Sequence, residues 1–255
     1  MSGDSSSGDG APQPPVLVQD DGAVRVVTLN RPARLNAFTI ESYRLLTEAL
    51  ADADADDGIK VALLRGAGRA FSSGVDLTAL AEVSDPAELT ATFDVLVRTL
   101  AGFSKPLVAG AHGFAVGFGM TLLLHCDLVV VADDARLRAP FAELGTAPEA
   151  ASSWLLPRLI GAQRAADILL TARWIAGAEA ARLGLAAQAC PAAQVPSAAL
   201  ALAHDVAALN GPALAAAKRL LRQGWGEQVA AATQREFAES RALRETNGPL
   251  ARPAS

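Results

Sequence analysis

Two short glycine-bearing runs are the residues whose types and spacing suit chemistry in this chain. The first run is Phe71-Ser-Ser-Gly-Val-Asp-Leu77, after the apolar stretch Lys60-Val-Ala-Leu-Leu-Arg65 and the turn Gly66-Ala-Gly68. The second, Gly113-Phe-Ala-Val-Gly-Phe-Gly119, leads into the apolar stretch Met120–Leu124. Small side chains leave the backbone amides open to close approach by a ligand. Two such loops directed at one point would supply the paired N–H donors of an oxyanion hole. Taken singly, each also reads as a tight turn at the end of a strand. Glu149 follows Pro148, which fits a first helical position, where an acid favours the N-terminal dipole.

The elements that must position these loops alternate. Val24–Leu29, Val61–Leu64, Leu107–Ala111 and Leu128–Ala132 read as short strands. Between the first two, Ile40, Tyr43, Leu46, Leu50 and Ala53 recur at helical spacing, with Thr39 as the cap. Strand–helix alternation of this kind implies α/β layering. After Cys190-Pro191 the strand signal stops. Ala-rich helices are expected over 195–209, 212–222 and about 227–244, with apolar faces that need the core or another subunit. The expected division is a disordered tail over 1–15, a core over 16–194 and a helical oligomerisation region over 195–255.

Composition narrows the classes. Of 255 residues, 51% are hydrophobic and 19% charged, which fits a globule with a large core. A net charge of −5 supplies no basic footprint for nucleic acid or an anionic membrane. Residues 1–15 are rich in Ser, Gly, Asp and Pro, without the apolar segment of a signal peptide or the basic character of a transit peptide. No apolar run approaches the length of a membrane span. Cys126 and Cys190 show neither zinc-site spacing nor a disulfide framework, and a reducing cytoplasm fits them. His112, His125 and His204 read as structural, lacking metal spacing or a nucleophile partner. Gly117-Phe-Gly119 lacks the third glycine of a dinucleotide fingerprint.

The two loops, in this order, resemble those of the enoyl-CoA hydratase/isomerase (crotonase) superfamily. The resemblance runs from about Val16 to the C-terminal helices. It includes Leu29-Asn-Arg-Pro-Ala-Arg-Leu-Asn-Ala37, Lys105–Gly113, Cys126–Ala132, Leu156–Gly161 and Glu179–Leu185. It implies an α/β fold, a spiral of ββα units with C-terminal helices that build homotrimers or homohexamers. It also implies an acyl-CoA thioester substrate, with coenzyme A entering as part of that substrate and no separate cofactor.

Carried over residue by residue, the oxyanion amides fall on Val75 and Phe118. Phe118 departs from the common Gly, but only its N–H is required, and the helix it opens adds its dipole. Asp76 is expected to cap its loop rather than act as an acid. Arg34 matches the basic residue near CoA phosphates, although it also reads as a solvated loop cation. The backbone around Ala37 would face the adenine, and Ser73, Gly74, Asp76 and Leu77 complete, with Val75 and Phe118, the substrate-binding set.

Hydratases of the superfamily carry two glutamates, whose positions here hold Thr121 and Phe141. Neither side chain exchanges protons near neutral pH. The run Ala139–Pro157 instead resembles peroxisomal-type 3,2-enoyl-CoA isomerases, whose single catalytic base lands on Glu149. Ala150 replaces the usual Gly after it, and Glu143 reads as a solvated or structural acid. Phe141, Ala147, Ala150 and Trp154 would make the surroundings apolar and raise the carboxyl pKa toward that of a working base. The expected activity is transposition of a double bond from 3-enoyl- to 2-enoyl-CoA in fatty acid metabolism. Hydration, hydrolysis or lysis of another acyl-CoA, or acyl-CoA binding without catalysis, are the alternatives.

Overall fold

The computed structural model describes residues 13–81, 83 and 85–248. Residues 1–12 of the expected tail lie outside this range. Residues 13–15 are tied to the fold, because Asn30 Nδ2 donates to Pro14 O at 3.1 Å and Asn30 N to Pro15 O at 2.8 Å.

A hairpin opens the chain, with β1 (Val16–Asp21) antiparallel to β2 (Val24–Leu29). β2 is buried along its whole length, which is why Val and Leu dominate it without polar alternation. α1 (Ile40–Ala55) begins after Thr39, whose side chain accepts the Ser42 amide as a helix cap. β3 (Val61–Gly66), α2 (Leu77–Ala81), α3 (Pro86–Gly102) and β4 (Leu107–Ala111) follow. Next come β5 (Phe114–Val116), α4 (Phe118–Leu123), β6 (Leu128–Ala132), β7 (Arg136–Arg138) and α5 (Phe141–Leu144). Then follow α6 (Ser152–Ile160), α7 (Ala162–Thr171), β8 (Ile175–Ala176), α8 (Gly177–Leu183) and β9 (Gln188–Cys190). α9 (Val195–Ala207), α10 (Gly211–Leu221) and α11 (Trp225–Asn247) complete the chain.

The main sheet has the order β1-β2-β3-β4-β6-β9, and every pair after β1–β2 is parallel. Parallel neighbours need crossovers, which α1, the α2–α3 pair, α4 and α8 help to supply. A second sheet, β5-β7-β8, collects β5 and β7, which follow β4 and β6 directly, and β8, which follows α7. Strand, strand, helix therefore repeats as β4-β5-α4 and β6-β7-α5, the expected ββα unit. The four predicted strands are present, with β3 continuing to Gly66.

The C-terminal helices are part of this packing. α9 lies on the sheet so closely that a Cβ at Gly110 of β4 would stand 2.9 Å from the Ala199 Cβ. α10 is held by Asp127, just before β6. Its carboxylate accepts Lys218 Nζ at 2.8 Å, Arg222 Nη2 at 2.7 Å and the Leu107 amide at 2.8 Å. Leu170, Leu220 and Leu221 remain exposed. Among the described residues no single helix is long and apolar enough to cross a membrane.

Asp127→Ala leaves the largely buried Lys218 and Arg222 without their counter-ion. Unfolding free energy should fall by about 3–5 kcal/mol, read from urea denaturation. A loss below about 1 kcal/mol would show that the α10 anchor is dispensable.

Candidate active site

The loop after β3 is shaped by Asn36 and Ser72. Asn36 Nδ2 donates to Ala67 O at 2.9 Å and Ala70 O at 2.8 Å, and Ser72 Oγ bridges Asn36 O and the Gly74 amide. Asp76 caps α2, accepting the Thr78 and Ala79 amides at 3.2 Å each, and pairs with Arg31 at 3.0 Å. Burial opposes its ionisation, yet those amides and the Arg31 guanidinium hold its carboxyl below the usual range. Asp76 is thus a capping residue, as its sequence position suggests.

The second loop lies directly against the first. Ser72 N donates to Phe114 O and Val116 N to Ser72 O, both at 3.0 Å, forming a one-residue parallel bridge. Gly74 sits at φ +90°, and a Cβ there would meet Val116 O at 2.6 Å and stand 3.5 Å from Phe118 N. Only glycine fits this crossing. Among the described residues neither the Val75 nor the Phe118 amide is paired with an acceptor. Phe118 opens α4, so its N–H is an unpaired first-turn donor at the positive end of the helix. Its ring explains why Phe replaces Gly here. It is fully buried against Phe38 and Phe93, with centroids 4.9 Å from each, and 5.5 Å from Tyr43, anchoring the loop from behind.

Glu149 reaches this junction from the far side of the sequence. A Cβ built on Gly117 would lie 3.9 Å from Glu149 Oε1 and 4.0 Å from the Gly74 Cα. One carboxyl oxygen thus lies beside the crossing of the two loops that carry the open amides. Glu149 does not begin a helix after Pro148. α6 starts at Ser152, and Ala150 and Ala151 between them are left-handed, at φ 54° and 57°. Each costs about 1–2 kcal/mol for a residue with a Cβ, which accounts for the Gly usual at position 150. The alanine strains the turn.

The turn is held from both sides. His125, fully buried, places Nε2 2.9 Å from Ala150 O. A carbonyl only accepts, so Nε2 carries the proton, and burial lowers the imidazole pKa to about 4 and keeps the ring neutral. Glu236 of α11 accepts the Ala151 amide at 2.7 Å and the Ser153 amide at 2.9 Å. It was not among the sequence candidates. Its signal was available: Val229, Ala232, Thr233, Glu236 and Ser240 share one buried helical stripe. Glu149 itself is half-buried by surface area, while its carboxyl lies deep among protein atoms. That burial and, after it, the Glu236 carboxylate push the Glu149 pKa up to about 8.

The remaining candidates are more peripheral. Arg34 ends a 3-10 turn at Pro32–Arg34 and is exposed. Ala37 is buried, its N–H bonded to Arg34 O and its C=O to Arg31. Ser73 N donates to Leu35 O, and Leu77 opens α2 half-buried. Thr121 is buried in α4 and Phe141 in α5, while Glu143 is an ion-pair partner of Arg138. Trp154 packs on Trp225 and under the Arg158 guanidinium. Among the described residues no group of His, Cys, Asp and Glu is arranged to hold a metal ion.

Residues 19–247 match the family profile described as enoyl-CoA hydratase/isomerase. The chain belongs to this family. A Mycobacterium bovis protein named as a probable enoyl-CoA hydratase is 32% identical over 210 residues, 82% of each chain. The rat protein named enoyl-CoA delta isomerase 2 is 33% identical over 232 residues, 89% of this chain and 59% of that protein. Among solved structures, the enoyl-CoA hydratase/isomerase from Pseudoalteromonas atlantica superposes with a TM-score of 0.85 at 32% identity, covering 92% of this chain and 93% of that one. The protein is thus an acyl-CoA enzyme of the crotonase fold, with relatives named for hydration and for isomerisation.

The raised pKa has a consequence for stability. In the unfolded chain Glu149 ionises near pH 4.3, but in the fold it keeps its proton to about 8. Between these values the folded state binds more protons, so this residue's contribution to stability falls as pH rises. Glu149→Gln should therefore match the wild-type Tm near pH 4 and exceed it at pH 8.5. A variant no more stable than wild type at pH 8.5 would show that Glu149 ionises without penalty.

Proposed function

We propose that this enzyme moves the double bond of a 3-enoyl-CoA to the 2-position, with Glu149 as its only proton carrier. The observation that supports this reading is the convergence of one high-pKa carboxyl and two unpaired amides, with Thr121 and Phe141 at the positions where hydratases hold acids. The Val75 and Phe118 amides would stabilise the thioester oxygen as negative charge develops on it. Glu149 takes the α proton, giving a dienolate, and returns a proton to the γ carbon. No water is consumed, so one base suffices. Arg34 and the Ala37 backbone would meet the nucleotide end of CoA, with Ser73, Gly74 and Leu77 along the pantetheine path.

The M. bovis relative's name favours hydration as a second reading. Hydration needs one group to activate water and another to protonate the α carbon. Glu149 acting twice could sustain only a slow version.

Given 3-enoyl-CoA and trans-2-enoyl-CoA separately, the enzyme should show the larger kcat/KM for isomerising the former. Glu149→Gln should bind substrate but lose turnover by on the order of a hundredfold or more. Faster hydration than isomerisation by the wild type would replace this reading with the hydratase one.

We also propose assembly into trimers or hexamers, which would cover Leu170, Leu220 and Leu221. Light scattering at micromolar concentration should give three or six times the chain mass, and a monomer would contradict it.

A further inference from the structure

The turn that carries Glu149 is strained, and a strained turn persists only where its surroundings over-determine it. Two consecutive alanines at positive φ hold no preference for this shape. The groups that impose it are the His125 ring on Ala150 O and the Glu236 carboxylate on the Ala151 and Ser153 amides. Glu236 is the more consequential of the two. It lies on α11, is only 4% exposed, and uses both oxygens on backbone amides within a few residues of Glu149.

We infer that Glu236 is a positioning residue for the reaction, fixing through the Ala151 and Ser153 amides the turn that aims Glu149. This rests on the reading of Glu149 as the base. Two buried carboxyl groups compete for ionisation, and their surroundings differ. Glu236 accepts two N–H bonds at the start of α6, whereas no hydrogen bond reaches the Glu149 carboxyl among the described residues. Burial raises Glu236 too, but the Ser153 and Ala151 bonds and Arg235 oppose that rise. The first ionisation therefore belongs to Glu236, and its charge then discourages the second. The other titratable groups facing the pair are neutral. Tyr43 of α1 is buried, and burial followed by Glu149's charge keeps its phenol protonated. His125, in the turn after α4, is held neutral by burial, with Arg222 behind it adding to that effect. A charged helix residue outside the two loops would thus set how strong a base the site contains.

The test is a carboxyl-carbon NMR titration of protein labelled with 13C-glutamate, in which Glu149→Gln identifies the Glu149 resonance by its absence. In Glu236→Gln the Glu149 midpoint should fall by about one pH unit. With 3-enoyl-CoA as substrate, kcat should fall by about tenfold or more while KM stays within about twofold. Glu236→Asp keeps the charge but is too short to reach both amides, so it should retain the high midpoint and still lose kcat. A folded Glu236→Gln with the wild-type midpoint and kcat would overturn the inference. If that variant fails to fold, Glu236→Asp with wild-type kcat would do the same. An inactive wild type would count against the proposed reaction alone, because the titration reads the Glu149–Glu236 pair without any substrate.

Discussion

The closeness of two backbone segments governs the rest of this site. Ser72 exchanges hydrogen bonds with Phe114 and Val116, and at Gly74 and Gly119 the chains leave no room for a Cβ. A methyl group on Gly119 would stand 2.4 Å from Ser72 O. The contact brings together the loops that carry the open amides of Val75 and Phe118, one after β3 and one after β5, which have no local reason to meet. Neighbouring elements serve it: Asn36 and Asp76 shape one loop, while the buried ring of Phe118 and the start of α4 fix the other. Catalysis by preorganised dipoles needs such rigidity, because donors that must rearrange give back what they stabilise.

The same junction gives Glu149 its electrostatic character. A carboxyl enclosed by protein, with another carboxylate nearby and no donor bonded to it among the described residues, holds its proton to about pH 8. The cost is spread through the fold. A strained turn, a buried neutral histidine and a buried glutamate on the last long helix are all maintained around one residue. The C-terminal helices therefore bear on the chemistry as well as on the packing. Glu236 reaches the turn from α11, and Arg222, at the end of α10, bonds His125 O, whose ring supports Ala150.

The strands and helices with long apolar patterns were legible in the sequence. Val24–Leu29, Leu107–Ala111 and the Thr39-capped helix fall where their periodicity puts them. β5, β7, β8 and β9 were not, since two or three residues carry no period and their pairing is decided by distant chain. Of the site, the loops and Glu149 were legible as a resemblance, and Asp76 as a cap from its turn chemistry. The start of α6 was not legible, because Pro148 followed by an acid is a good helix opening locally. Tertiary bonds from His125 and Glu236 override that preference and delay the helix to Ser152. Glu236 was missed because a glutamate in a charged helix ordinarily faces water, and only its place on the buried stripe with Val229 and Ala232 marks it.

On this reading the Val75 and Phe118 amides would polarise one thioester carbonyl beside Glu149. The most direct measurement is the infrared stretch of an acyl-CoA labelled with 13C at that carbonyl, bound to Glu149→Gln so that no turnover intervenes. The stretch is expected at lower frequency than for the same thioester in buffer, as paired donors weaken the C=O bond. A bound thioester whose stretch matches that in buffer would contradict the oxyanion site.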